Sequence, residues 1–376
     1  MFFTVAMFFI FFGTARAETV VHDNLSKIWD GADVIILDAY GVFWSGKSFF
    51  ENSRDLMRDA VRSGKMVYVL SNATQLSWET AESYRRKEGG GIIPSVHYHH
   101  LVTSGDFTRS ILREGKLKFK NNANPKYVYQ MGVPNLTLFE GTKYVIVDAM
   151  EKADFIYLGP PKLTEEQYNA YPHREQLRES PLEFHGNSAR TWDSLVVDPF
   201  MADLRKAKKL GLPILSANPD LTVEQVVRGT SERVLVVRQG MVAQAYRKIG
   251  GEVVEFGKPD RGVFNIILED LRNRGIEVER DRIIMVGDTI GTDIAGANGA
   301  GIKSCLCTET GVTASILNEK LRRKTDKLMK KRMSLADRDR AIMALRVSLL
   351  EELLKKEKAR ADYLIRGLSV NYRSQR

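Results

Sequence analysis

A chain of 376 residues with 43% hydrophobic and 27% charged residues has enough apolar material for a large core and for more than one domain. It is neither a disordered polyelectrolyte nor a disulfide-stapled miniature, since its only two cysteines, Cys305 and Cys307, stand one residue apart in an apolar stretch. The formal charge of +9 is local: residues 319–376 hold 18 Lys/Arg against 8 Asp/Glu, leaving 38 against 39 elsewhere, so the charge says little about the body of the protein.

From the start of the chain, Phe2 to Phe12 is almost unbroken apolar sequence, too short to span a bilayer as a helix. The small-x-small run Ala15-Arg16-Ala17 follows it, so residues 1–17 read as a secretory signal peptide and imply export, to a periplasm or out of the cell. No basic residue precedes the apolar run, and a cytoplasmic chain with a short hydrophobic tail is the alternative. Val34-Ile35-Ile36-Leu37 is a continuous apolar run ending at Asp38, the pattern of a buried parallel strand that delivers a carboxylate to its C-terminal edge. Helical spacing over 52–63 and a second apolar run, Met66 to Leu70, ending at Ser71-Asn72, complete a βαβ unit.

The next 170 or so residues carry strand candidates at Tyr127–Gln130, Tyr144–Val147, Phe155–Leu158, Pro213–Ser216 and Arg233–Val237, with helices over 164–171, 198–210 and 261–273. Residues 160–192, with Pro160, Pro161, Pro172 and Pro181, read as an irregular excursion. His97, His99 and His100 read as surface histidines at a strand entry. The first pattern then returns: Ile283-Ile284-Met285-Val286 ends at Gly287-Asp288, a small-residue helix covers 293–300, and Ile302 to Cys307 makes a further strand with the two cysteines on one face. The fold class is therefore α/β, a Rossmann-like core with a parallel sheet interrupted by an α/β cap. The expected division is a core of 18–95 and 253–376 and a cap of 96–252.

Residues 313–358 predict two helices with a leucine stripe, from Leu317, Leu321 and Leu328 to Leu353 and Leu354, among basic residues. Three readings stand: a solvated hairpin packed on the core, a partner or homo-oligomer contact through the leucines, or a surface for nucleic acid or anionic membranes. No aromatic interleaving supports the last.

Four short pieces end or adjoin apolar strands: Asp38 to Val42, Ser71-Asn72, Gly257-Lys258-Pro259, and Gly287-Asp288 through Asp293. Alone, Asp38 and Asp288 read equally as helix N-caps, Ser71-Asn72 as loop chemistry and Lys258 as an exposed lysine. Together, carboxylates, a lysine and a hydroxyl beyond the carboxyl ends of parallel strands suit a hard cation and a phosphate. In their order the pieces resemble the motifs of the haloacid dehalogenase superfamily, subclass IIA, the p-nitrophenyl phosphatase-like (NagD-like) group. The resemblance runs from about residue 31 to 312, with Ala361–Ile365 looking like the last core strand.

That resemblance implies a phosphatase of small phosphorylated metabolites. Asp38 would be the nucleophile and form an aspartyl-phosphate, and Mg²⁺ would be held by Asp38, Asp288 and the Tyr40 backbone carbonyl. Ser71, Asn72 and Lys258 would bind the phosphoryl group, and Asp293 would orient Lys258 or the metal shell. Asn218 and Asp220, in a segment resembling the cap loop of the group, are specificity candidates; the plainer reading is an Asn-Pro-Asp turn. Thr103-Ser104-Gly105-Asp106 resembles the segment that opens the cap and is expected to cap the helix after it. One departure stands out. The family's second aspartate, its acid-base two residues after the nucleophile, is Tyr40 here, and a phenol titrates near pH 10. Losing a positioned general acid-base costs on the order of 10²–10⁴ in rate. A weak phosphotransferase, or a binding protein using the cap or the basic helices, is the alternative.

Overall fold

The computed structural model describes residues 20–46, 48–86, 90–180, 190–227, 230–329 and 334–370; the signal-peptide reading of 1–17 and Pro181 lie outside them. Two compact units emerge. The first comprises Met1–Val69, Pro94–His100 and Arg274–Arg376, the second Leu70–Ile93 and Leu101–Asn273. The boundary passes through the strands Met66–Ser71 and His100–Thr103.

The principal sheet runs, from one edge, Val20–His22, Tyr363–Ile365, Lys303–Cys307, Ile283–Gly287, Val34–Leu37, Met66–Ser71 and His100–Thr103. Val34–Leu37 lies between Ile283–Gly287 and Met66–Ser71, parallel to both, with Leu37 opposite Val286 on one side and Val69 on the other. Because both faces of such a strand are covered, all four of its residues are buried, which is why it reads as an unbroken apolar run. The expected last strand is Tyr363–Ile365, but it is not the edge: Val20–His22 pairs beside it, a three-residue strand too short to carry a pattern. Cys305 and Cys307 are buried free thiols on one face of Lys303–Cys307, and burial pushes both thiols well above their usual range.

The helix Ser53–Arg62 buries Leu56, Met57 and Ala60. At the far end of the chain stands the helical hairpin Gly311–Met329 and Leu335–Lys356. Leu317, Leu321, Leu349, Leu350 and Leu353 are buried in one cluster with Ile290, Ile294, Leu306 and Leu364, so the leucine stripe faces the sheet and the first of the three readings describes its packing. Each such leucine stabilises the fold by roughly 1.5–3 kcal/mol through apolar burial.

In the second unit five parallel strands run in the order Val253–Glu255, Ile214–Ser216, Phe155–Leu158, Tyr127–Met131, Val145–Val147. Phe155 and Tyr157 enter one core cluster, Ile156 and Leu158 the other, the alternation expected of a strand covered on both faces. Val253–Glu255, placed by the sequence reading at the start of the returning core, is the edge strand of this sheet. The stretch 160–192 is not merely irregular. It contains the helix Glu165–Ala170 and a three-stranded antiparallel sheet of Lys162–Leu163, Trp192–Ser194 and Leu177–Glu179, whose two- and three-residue strands leave no periodicity to read.

The histidine reading also needs correction. His97 is buried, and His99 accepts a bond from the Val67 amide through Nδ1 at 3.0 Å, so these side chains belong to the sheet margin rather than the surface. Thr103 caps the helix Ser104–Arg113 with Asp106 in a reciprocal capping box, as expected. Among the described residues no helix is long and apolar enough to cross a membrane.

Candidate functional site

Within the first unit, Asp38 and Asp288 leave adjacent strands at the same end, because Leu37 pairs with Val286 and the Asp38 amide donates to the Val286 carbonyl at 2.9 Å. Asp293 reaches the same place from a π-helical turn, Ile290–Ile294. One oxygen of each of the three carboxylates lies within 4.8 Å of the others. Asp288 and Asp293 are buried, and Asp38 is half-buried.

Backbone groups aim these carboxylates. Asp293 Oδ2 accepts from the amides of Asp288 at 3.1 Å and Thr289 at 3.0 Å, which closes the turn after the strand. Asp288 Oδ2 accepts from the Val312 amide at 2.6 Å, and the Asp288 carbonyl accepts from the Thr313 amide at 3.1 Å. Asp288 thus caps a helix, but the one beginning at Gly311, not the one that follows it in sequence. Two glycines make room. A Cβ at Gly41 would lie 2.4 Å from Asp288 Oδ2, and one at Gly311 would lie 2.0 Å from it, while both backbones hold φ near +75°.

Like charges this close repel by about 3 kcal/mol per pair at 5 Å and an effective dielectric near 20. The donors are all carboxylate oxygens, with no nitrogen or sulfur among them, the chemistry that suits a hard divalent cation such as Mg²⁺.

Within the second unit, Lys258 is 1% exposed and its Nζ donates to the Leu70 carbonyl at 2.9 Å. A buried ammonium is costly unless its protons are used, so its placement is specific. Asn72 accepts from the Lys258 amide at 2.8 Å and donates to its carbonyl at 3.2 Å, locking the loop to the end of the strand Met66–Ser71. Asn72 Nδ2 also donates to Asp220 Oδ1 at 2.9 Å. Gly257, at φ +129°, lets this happen: a Cβ there would lie 2.8 Å from Asn72 Oδ1 and Pro219 Cδ.

Comparison with known proteins places this arrangement. Residues 255–331, which include Lys258, Asp288 and Asp293, match the family model of HAD-hydrolase-like proteins. A hydrolase of the haloacid dehalogenase-like family from Brucella suis 1330 superposes with a TM-score of 0.60 at 22% identity, covering 78% of this chain and 91% of that one. Phosphoglycolate phosphatase 2 of Arabidopsis thaliana is 24% identical over 299 residues, 77% of this chain and 87% of its own. Glycerol-3-phosphate phosphatase of Homo sapiens is 26% identical over 330 residues, 85% of this chain and 91% of its own. Over residues 255–331 the chain is similar to the haloacid dehalogenase-like hydrolases, and its fold is like theirs. Its fold is shared with a possible sugar phosphatase from Cytophaga hutchinsonii and a 4-nitrophenylphosphatase from Thermotoga maritima, at TM-scores of 0.59 and 0.52 and 17% and 18% identity, each match covering 93% of this chain and 99% of the other.

The remaining predicted residues fall as follows. Ser71 Oγ accepts from the Ala73 amide at 3.2 Å, turning the chain after the strand. The Tyr40 ring lies over Gly46, where a Cβ would be 3.2 Å from Tyr40 Cε1, so the phenol packs on the loop that follows Asp38. Asn218 Oδ1 accepts from the Asp220 amide at 2.8 Å, an Asx turn, while the Asp220 carboxylate is the group that faces Asn72.

The sequence reading missed one cluster. Asp193 is fully buried against Lys162, and Arg238 donates to it at 3.1 Å; Lys162 also donates to Ser180 Oγ at 2.8 Å. Burial pushes the Lys162 ammonium down to about 8 despite Asp193 beside it. Burial alone would raise the Asp193 carboxyl, but the two cations hold it below the usual carboxylate range. The three residues are 31 and 45 positions apart, and no local pattern announces them.

Proposed function

We propose that the chain is a Mg²⁺-dependent phosphatase that hydrolyses a small phosphomonoester through an aspartyl-phosphate on Asp38. The observation that carries this reading is the meeting of Asp38, Asp288 and Asp293 at the ends of two parallel strands. The two named relatives support the substrate class, since phosphoglycolate and glycerol 3-phosphate are both small phosphomonoesters.

In this reading Asp38, Asp288 and the Tyr40 carbonyl would hold Mg²⁺, which supplies charge neutralisation to the phosphoryl oxygens and to the crowded carboxylates. An Asp38 oxygen attacks phosphorus, the ester P–O bond breaks, and the leaving oxygen takes a proton. Water then attacks the phosphorus of the acyl phosphate and loses its proton, inorganic phosphate departs, and the carboxylate is restored. By the resemblance alone, Ser71, Asn72 and Lys258 would bind the phosphoryl group, the Lys258 ammonium offsetting its charge. Asp293 keeps Asp288 in place, while Asp220, positioned by Asn218, shapes specificity. The second unit would serve as the cap.

Tyr40 leaves the acid-base step weak, so esters with good leaving groups react fastest. A slow phosphotransferase differs only in the acceptor of the second step, and Tyr40 is the feature that favours it. The test is p-nitrophenyl phosphate hydrolysis by the intact chain, with Mg²⁺ or with EDTA, for wild type and Asp38→Asn. We expect the substitution to lower kcat by at least on the order of 10³, and EDTA to abolish turnover reversibly. Hydrolysis indifferent to both would end the proposal.

A further inference from the structure

The basic helical hairpin, expected to pack on the core, touches both the turn that carries Asp293 and the segment whose Val312 amide holds Asp288. Ile290 and Ile294, at the ends of the turn that contains Asp293, are packed in the same cluster as Leu317, Leu349 and Leu353 of the hairpin. Glu357, just past the second helix, lies over Gly291 of that turn, where a Cβ would be 3.2 Å from Glu357 Oε2. On the other side, Arg346 in the middle of the second helix donates through Nη2 to the Thr308 carbonyl at 2.6 Å and through Nη1 to Asn318 Oδ1 at 3.0 Å.

Thr308 begins the segment that returns to Asp288. Its amide is tied to the Ile365 carbonyl at 2.9 Å, and the Glu309 amide to the Arg366 carbonyl at 2.8 Å. Four residues on from Thr308, the Val312 amide grips Asp288 Oδ2. Arg346 therefore fastens three things at once: the root of that segment, the first helix through Asn318, and its own helix. A guanidinium suits this because its donors diverge in a fixed plane and stay charged at any working pH.

We infer that Arg346 is a positioning residue for Asp288: through Thr308 and the N-terminus of the helix Gly311–Met329, it fixes the carboxylate in the pose that binds the divalent cation. The inference rests on the proposed function in one respect only, that Asp288 is a cation ligand. Arg346 touches neither cation nor substrate.

The test is Mg²⁺ titration of the intact apo protein by calorimetry. Arg346→Met should weaken Mg²⁺ binding about 3- to 10-fold, and Arg346→Lys, which keeps one bond to the Thr308 carbonyl, should recover most of it. Hydrogen exchange over the segment 304–314 should speed up in Arg346→Met without added metal. At saturating Mg²⁺ the KM for p-nitrophenyl phosphate should stay within twofold, whereas the Mg²⁺ concentration for half-activation rises. Lys355→Met, an exposed change on the same helix, should leave Mg²⁺ binding unaltered. If Arg346→Met fails to fold, Asn318→Leu removes one anchor at an exposed site and should weaken binding about twofold. Wild-type Mg²⁺ affinity in a folded Arg346→Met or in Asn318→Leu would overturn the inference. Asp288→Asn separates the two claims: unchanged binding there defeats the cation reading itself, whereas loss there with none in Arg346→Met defeats only the role of Arg346.

Discussion

Two regions of the molecule gather buried charge, and they do it in opposite ways. In the first unit Asp38, Asp288 and Asp293 bring like charges within 4.8 Å of one another. In the second unit Asp193 is met by Lys162 and Arg238, so one carboxylate is held by two cations of the same chain. The second cluster is complete as protein and ties the strands Lys162–Leu163 and Trp192–Ser194 to the end of Arg233–Val237. The first gathers three carboxylate side chains, the donor set of the cation site proposed above. Buried charge alone does not mark a functional site.

Three experiments sharpen or break this contrast. The largest effect is expected in the paired cluster. Lys162→Met leaves Asp193 with one cation and should lower unfolding stability by about 3–5 kcal/mol, read by urea denaturation, while kcat per folded molecule changes less than threefold. A large loss of kcat at full stability would mean that the cluster is catalytic after all.

The next tests the tolerance of the acidic cluster for more negative charge. Tyr40→Asp adds a fourth carboxylate two residues from Asp38 and should raise kcat on alkyl phosphates about 10- to 100-fold with Mg²⁺ present, because a competent acid-base is restored. No gain would show that another group already moves the proton.

The smallest effect is in pH. The folded Asp193 carboxyl titrates below its ordinary value, so its stabilisation is present at and above about pH 4 and is lost as pH falls through the lower folded value. Melting temperature should drop more steeply below pH 4 in wild type than in Asp193→Asn. Parallel slopes would mean that Lys162 and Arg238 do not hold the charge.

Much of the core was legible because parallel strands buried on both faces leave apolar runs, and their last residues are the ones that face a ligand. That pattern placed Asp38 and Asp288 at the ends of neighbouring strands, where the structure has them. What Asp293 does was not readable: its bonds go to the amides of Asp288 and Thr289, and a turn's backbone pairing has no signature in side-chain order. Strands of two or three residues, such as Val20–His22 and Lys162–Leu163, were missed because a period of two needs more residues to show. His99 misled because a polar side chain at a sheet margin can substitute for a backbone acceptor, which composition does not record. The Lys162–Asp193–Arg238 contact depends on long-range folding alone.

The glycine vise around Asp288 has a consequence for how the hairpin can vary. Gly311 is at once the residue that clears space for the carboxylate and the first residue of the inserted helix. The insertion is therefore anchored in register at its root, where even one added methyl group collides with Asp288. Leu335, the first residue of the second helix, is exposed and meets no such constraint. A change at Gly311 is therefore confined by Asp288, whereas one at Leu335 adds to outer surface.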